Sequence, residues 1–145
     1  MKIAFGCDHG GFIYKDAVLY YLASKGHEII DFGCDSEESC DYPDYCIPAC
    51  EAVVKKEADY GVLICGTGIG MSICANKING IRCAHVTDLF SAEATRKHND
   101  TNVIALGARI STKEDVIKFI DKFLNTEFEG GRHVNRVNKI IKLEK

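Results

Sequence analysis

Apolar and polar positions along this chain switch between two periods. Lys2 to Cys7 (KIAFGC), His27 to Phe32 (HEIIDF), Tyr60 to Cys65 (YGVLIC), Ile81 to Val86 (IRCAHV) and Asn102 to Leu106 (NVIAL) are short apolar runs. Such runs, bounded by glycine or polar residues, predict strands, and an unbroken one predicts a strand buried on both faces. Between them the apolar spacing turns helical. It predicts helices over Phe12 to Lys25, Pro43 to about Glu57, Met71 to Lys77, Leu89 to about His98, Lys113 to Leu124, and about Arg132 to Leu143.

The spacing also predicts which faces turn inward. In the first helix the stripe is Ile13, Ala17, Tyr20 and Tyr21, widened by Val18 and Leu22. In the second it is Ile47, Cys50, Val53 and Val54. Val116, Ile117, Ile120, Phe123 and Leu124 point inward from the fifth, and Val134, Val137, Ile140 and Ile141 share one side of the last. Gly26 suits a helix C-terminus, and Asp88 and Thr112 suit N-caps. Pro43 fits a first helical turn, while Pro48 makes that turn irregular. Strand and helix alternate five times, which predicts an α/β fold with a parallel sheet and helices on both faces. Ligands of such sheets bind at the carboxyl ends of the strands.

Composition narrows the function classes. At 145 residues the chain (1–145) reads as one domain, with 46% hydrophobic and 27% charged residues typical of a globular protein. No apolar run is long enough to cross a membrane, and the first residues carry no signal-peptide pattern, so a cytoplasmic location is expected. The net charge of −3 provides no global basic field, so no nucleic-acid partner is expected. There are eight cysteines and no CxxC pair. Without that spacing neither a zinc ribbon nor a thioredoxin-type site is indicated, and most of the eight read as small buried hydrophobes in a reducing compartment. Cys46 and Cys50 are spaced to share a helix face, with Cys40 close by.

The chemistry centres on Tyr60 to Gly70, YGVLICGTGIG. It reads as a strand, a glycine loop and a helix N-terminus. Glycines leave backbone N–H groups bare, and the helix end is positive, which suits an anion. Cys65 stands at the mouth of the loop, where a thiolate is favoured, and Thr67 adds a hydroxyl. Gly66, Gly68 and Gly70 form GxGxG, one residue short of the dinucleotide fingerprint, and there is no GxxxxGK[ST].

Other reactive residues fall near strand ends. Asp8 and His9 end the first strand, Asp88 follows the fourth and Arg109 the fifth, while His98 and Asn99 close the fourth helix. Cys65 with His98 is one conceivable nucleophile–base pair of a cysteine hydrolase. Arg132 and Arg136 lie four apart, so they share a helix face. That face is either solvated or a phosphate clamp, since paired guanidiniums match phosphate oxygens.

The set GCDHGG (6–11), DYP (41–43), CGTGIG (65–70), ANK (75–77), HNDTNV (98–103) and EGGRH (129–133) resembles the type B ribose-5-phosphate isomerases. That family includes the galactose-6-phosphate isomerase subunits, and the resemblance runs the length of the chain. It implies a Rossmann-like three-layer sandwich with a five-stranded parallel sheet, and a C-terminal helix reaching a partner subunit. It further implies an aldose–ketose isomerase working through a cis-enediol(ate), with no metal and no cofactor. The active site would lie at the interface of a homodimer, or of a dimer of dimers. By the same resemblance, Cys65 is the base, and Thr67 with the amides of Gly66, Gly68 and Gly70 holds the oxyanion. His98 opens the sugar ring, helped by Thr67, Asp8 or both, and Asn99 binds the reacting end. His9, Arg132 and Arg136 bind phosphate with Arg109 near them, and Tyr42 lines the pocket. Ribose 5-phosphate and ribulose 5-phosphate are the expected pair. A six-carbon sugar phosphate (galactose 6-phosphate or allose 6-phosphate) and a non-catalytic sugar-phosphate sensor are the alternatives.

Overall fold

The computed structural model describes residues 1–145. Five strands form one sheet: β1 (Lys2–Cys7), β2 (Glu28–Asp31), β3 (Tyr60–Cys65), β4 (Cys83–His85) and β5 (Val103–Gly107). Their order is β2-β1-β3-β5-β4, and every pair is parallel. Six α-helices follow the strands: α1 (Lys15–Ser24), α2 (Pro43–Val54), α3 (Ile69–Asn76), α4 (Leu89–Asn99), α5 (Lys113–Leu124) and α6 (Arg132–Ile141). This is the α/β architecture expected, a parallel sheet between two helical layers.

Side-chain alternation along the strands sorts those layers. Ile3, Phe5, Val62, Ile64, Ile104 and Leu106 point to one face, where they meet Val18 and Leu22 of α1 and Val116, Ile120 and Phe123 of α5. Ala4, Leu63, Cys65, Val103 and Ala105 point to the other, where they meet Cys46, Cys50 and Val53 of α2 and Met71 and Ala75 of α3. Three strands are thus buried on both sides, which is why their sequences read as unbroken apolar runs.

Several inward faces differ from the expected ones. A 3-10 turn, Phe12–Tyr14, precedes α1 and rotates its phase. Ile13 and Tyr20 consequently face solvent (68% and 78% exposed), while Lys15, Val18 and Leu22 are buried. Buried Lys15 donates to the Cys34 carbonyl and bridges Asp31 and Asp35 at 3.0 and 3.2 Å. In α2, Cys46 and Cys50 turn inward with Ala49 and Val53, and Ile47 and Val54 are exposed. The small thiols allow α2 to lie close to the sheet. Pro48 is inside α2, which runs through it. β4 is shorter than expected, α3 starts two residues earlier, and Ile117 is half-buried. On α6 only His133 and Val137 are buried, so Val134, Ile140 and Ile141 leave their stripe open to solvent.

Near-buried Arg96 ties the amino edge of the sheet to the helices. Its guanidinium donates to the Thr101 and Thr126 carbonyls, the Tyr60 hydroxyl and Asp100. It also lies 5.0 Å from the centroid of the Tyr60 ring, which meets Phe123 edge-on. Truncation would orphan several polar groups at once. Arg96→Ala is therefore expected to lower stability by about 3 kcal/mol, read as a shift in the urea unfolding midpoint.

Candidate active site

The site begins where β1 and β3 lie side by side and the chain departs to opposite halves of the sheet. A crevice opens at such a switch point. The loops leaving the two strands touch backbone to backbone. A Cβ on Gly11 would lie 2.3 Å from the Ile64 oxygen, and one on Gly10 would lie 2.9 Å from the Gly66 nitrogen. Only glycine permits this approach.

Asp8 is 6% exposed, and its Oδ1 accepts from the Gly10 and Gly11 amides at 2.8 and 3.1 Å. That fixes the carboxylate and leaves Oδ2 for another partner. Beside it, the Cys40 N–H donates to His9 Nδ1 at 3.2 Å. Nδ1 is thus an acceptor, and in the neutral ring the proton resides on Nε2.

Cys65 is 5% exposed and ends β3. The chain then turns through Gly66 and Thr67 to Gly68, whose φ of 84° is left-handed, and α3 starts at Ile69. The turn aims the Gly68 N–H at Cys65 Sγ, 3.0 Å away. Thr67 Oγ1 accepts from the Ile69 N–H at 3.2 Å, which closes a local turn just before α3. From the next strand, the Ala108 and Arg109 N–H groups donate to the Cys65 and Gly66 carbonyls, both at 2.9 Å. The Arg109 side chain packs over Gly66, and the Tyr42 ring over Gly70. One chain therefore brings together Asp8, His9, Tyr42, Cys65, Thr67, Arg109 and the three loop glycines.

His98, Asn99, Arg132 and Arg136 form a second group elsewhere. α4 starts beyond the carboxyl end of β4 and runs back antiparallel to the sheet for 11 residues, about 16 Å. His98 and Asn99 end it, just before β5 begins, so they lie at the amino edge while Cys65 lies at the carboxyl edge. The Cys65–His98 pair of a cysteine hydrolase is thereby ruled out within one chain. His98 instead stacks on His133, with centroids 4.6 Å apart and planes at 20°. His133 pairs with Glu129 at 3.4 Å, and the Glu129 N–H donates to the Lys97 carbonyl. Arg132 and Arg136 project from α6 into solvent.

His98, Glu129 and His133 place three donor atoms within 4.8 Å of one another. Zinc would need both imidazole lone pairs to converge on one point about 2.0–2.1 Å away. Rings stacked face to face keep those lone pairs side by side, so the trio is built as a stacked pair with a carboxylate, not as a metal centre. Near Cys46, the thiol of Cys50 is 3.9 Å away, but Cys40 faces His9 instead.

His85, to which the sequence pattern assigns no role, places its Nε2 2.6 Å from the Thr67 carbonyl oxygen. Its place at the end of a strand was the available signal. Cys40, Glu129 and His133 likewise make contacts that sequence spacing does not encode.

All eight cysteines are free, and five are buried. Burial and the nearby Cys34 push the Cys7 thiol up, and the Cys50 hydrogen bond with burial does the same to Cys46. Burial and Cys46 push Cys74 up to about 12. Such thiols hold little thiolate near neutrality. Iodoacetamide at about pH 8 is expected to leave Cys7, Cys46 and Cys74 of the native protein unmodified, and to reach all eight cysteines in urea, as peptide mass mapping would report.

The model of the family described as Ribose/Galactose Isomerase matches residues 3–140. Ribose-5-phosphate isomerase B of Escherichia coli (strain K12) is 48% identical over 143 residues, spanning 99% of this chain and 96% of that protein. The solved structure of Clostridium thermocellum ribose-5-phosphate isomerase B superposes with a TM-score of 0.97 at 46% identity, over 99% of this chain and 97% of that one. Ribose-5-phosphate isomerase B of Mycoplasma genitalium, solved with bound ribulose-5-phosphate, gives 0.94 at 37% identity, over 98% and 95%. Agreement at this level over nearly the full length of each chain identifies this protein as a member of the ribose/galactose isomerase family.

Proposed function

We propose that this isomerase interconverts D-ribose 5-phosphate and D-ribulose 5-phosphate at a site shared by two copies of the chain. The observation that carries the reading is the thiol of Cys65 at the end of β3, with the Gly68 N–H 3.0 Å from its sulfur. A base must take a proton from one carbon and return it to its neighbour: the N–H beside the sulfur supports the thiolate before it takes the proton, and the resulting thiol carries that proton between the two steps.

In this mechanism Cys65 moves the proton between carbons 1 and 2. Thr67 and the loop amides hold the negative oxygen of the cis-enediolate, since fixed donors need little reorganisation as charge develops. Asp8 Oδ2 accepts a sugar hydroxyl, which suits a part in ring opening. His9 donates its Nε2 proton to phosphate, alongside Arg109. The handle is remote from the reacting carbons and orients them. Tyr42 lines the wall of the pocket. No metal or cofactor takes part.

His98, Asn99, Arg132 and Arg136 come from the second copy. Three observations support that division. These residues are at the sheet edge opposite Cys65, the α6 guanidiniums are exposed, and the α6 apolar stripe is open. A C2 dimer covering that stripe would carry the arginines and His98 of each copy to the glycine loop of the other. There His98 would open the furanose ring and Asn99 would bind the reacting end.

Purified protein is expected to isomerise ribose 5-phosphate at an undiminished rate in excess EDTA, with galactose 6-phosphate and allose 6-phosphate as parallel substrates. Turnover of a six-carbon sugar alone would overturn the pentose assignment. Cys65→Ala is expected to abolish turnover while binding of the sugar phosphate, read by calorimetry, persists. Near-normal rates would remove Cys65 as the base. Mixing Cys65→Ala with His98→Ala after unfolding and joint refolding is expected to restore about a quarter of wild-type activity, because half the dimers then hold one intact site of two. No recovery would refute the shared site.

A further inference from the structure

We infer that His85 is a positioning residue for Cys65, acting through the Thr67–Gly68 peptide unit. The role rests on the reading of Cys65 as the base. His85 is the last residue of β4, and its Nε2 lies 2.6 Å from the Thr67 carbonyl oxygen. A carbonyl oxygen only accepts, so Nε2 carries the proton and donates. The nitrogen of that same peptide unit belongs to Gly68, and its N–H donates to Cys65 Sγ at 3.0 Å. In a trans peptide the C=O and N–H point in opposite directions. By holding the oxygen on one side, His85 aims the hydrogen at the sulfur on the other. The two bonds run in series through one polarisable amide, so each strengthens the other.

The packing agrees. A Cβ on Gly107 would lie 2.5 Å from the Thr67 carbonyl carbon and oxygen, so this carbonyl sits hard against β5. A Cβ on Gly68 would lie 2.8 Å from His85 Cδ2, so the ring presses directly on the loop. Thr67 itself is exposed, and Gly68 has the conformational freedom of glycine. Unclamped, this peptide can rotate and turn its carbonyl lone pairs toward the sulfur. That orientation repels a thiolate where the observed one supports it. His85 is exposed and belongs to neither hydrophobic cluster, so core packing does not explain its position.

The test separates the ring from its N–H. His85→Phe keeps a flat ring against Gly68 and removes the donor, whereas His85→Gln restores a donor on a different shape. Both alter an exposed side chain, so the fold is retained. The first readout is the rate at which iodoacetamide modifies Cys65 at fixed pH, followed by mass spectrometry of the Cys65 peptide. The second is kcat and KM on ribose 5-phosphate. His85→Phe is expected to slow Cys65 modification about three- to tenfold and to lower kcat similarly, with KM within about twofold. His85→Gln is expected to recover most of both. Unchanged Cys65 modification in His85→Phe overturns the inference, and so does an equal loss in both variants. The alkylation readout needs no isomerase activity. A protein inactive on every sugar phosphate that still shows the alkylation pattern would refute the proposed reaction and uphold the relay.

Discussion

Close backbone contact between the loops leaving β1 and β3 is the constraint on which the rest of this structure depends. Gly10 and Gly11 press against Ile64 and Gly66, and Gly107 presses against Thr67. A side chain at any of these positions would hold the strand ends apart. With the backbones touching, the amides of Gly10 and Gly11 orient the Asp8 carboxylate, and the amide of Gly68 reaches the Cys65 sulfur. Fixed main-chain dipoles thus set the surroundings of both the Asp8 carboxylate and the Cys65 sulfur.

Holding those loops in register requires a rigid sheet, and both faces contribute. Ile64 and Cys65 are neighbours in β3, yet they point into different cores, one against α1 and α5 and the other against α2 and α3. Either face therefore braces the same strand end. Two buried cations reinforce the frame. Lys15 ties α1 to the loop after β2, and Arg96 ties α4 to the start of β3 and to the segment after α5. Burial opposes the charge on Lys15, but the hydrogen bonds it donates to Asp31 and Asp35 outweigh it and hold its pKa above the usual lysine value. Its contribution is fully present below the unfolded pKa and is lost only as pH rises through the folded one, above neutrality.

The far end of the sheet is organised differently. Around His98 the structure offers a stacked ring, a carboxylate and two free guanidiniums, beside an apolar stripe that the chain itself leaves uncovered. A helix that runs antiparallel to its strand returns the chain to the edge it came from. Residues at the end of α4 therefore cannot meet residues at the end of β3 in the same molecule.

Much of the architecture was legible in the chain alone. Buried parallel strands need apolar side chains on both faces, so the runs of β1, β3 and β5 were visible without a structure, and Gly26, Asp88 and Thr112 marked helix ends because caps are local. The loop at Cys65 was legible for the same reason, since glycine spacing and a following helix are neighbours in sequence. Tertiary structure alone decided the phase of α1, the inward turn of Cys46 and the outward turn of Ile47 and Val54, and the exposure of the α6 stripe. A helical stripe records which residues are apolar and not which neighbour covers them. It also decided that His85 holds Thr67 and that His98 lies opposite Cys65. Those relations join residues 18 and 33 apart through strand order, and strand order is set by how whole layers pack rather than by any local pattern.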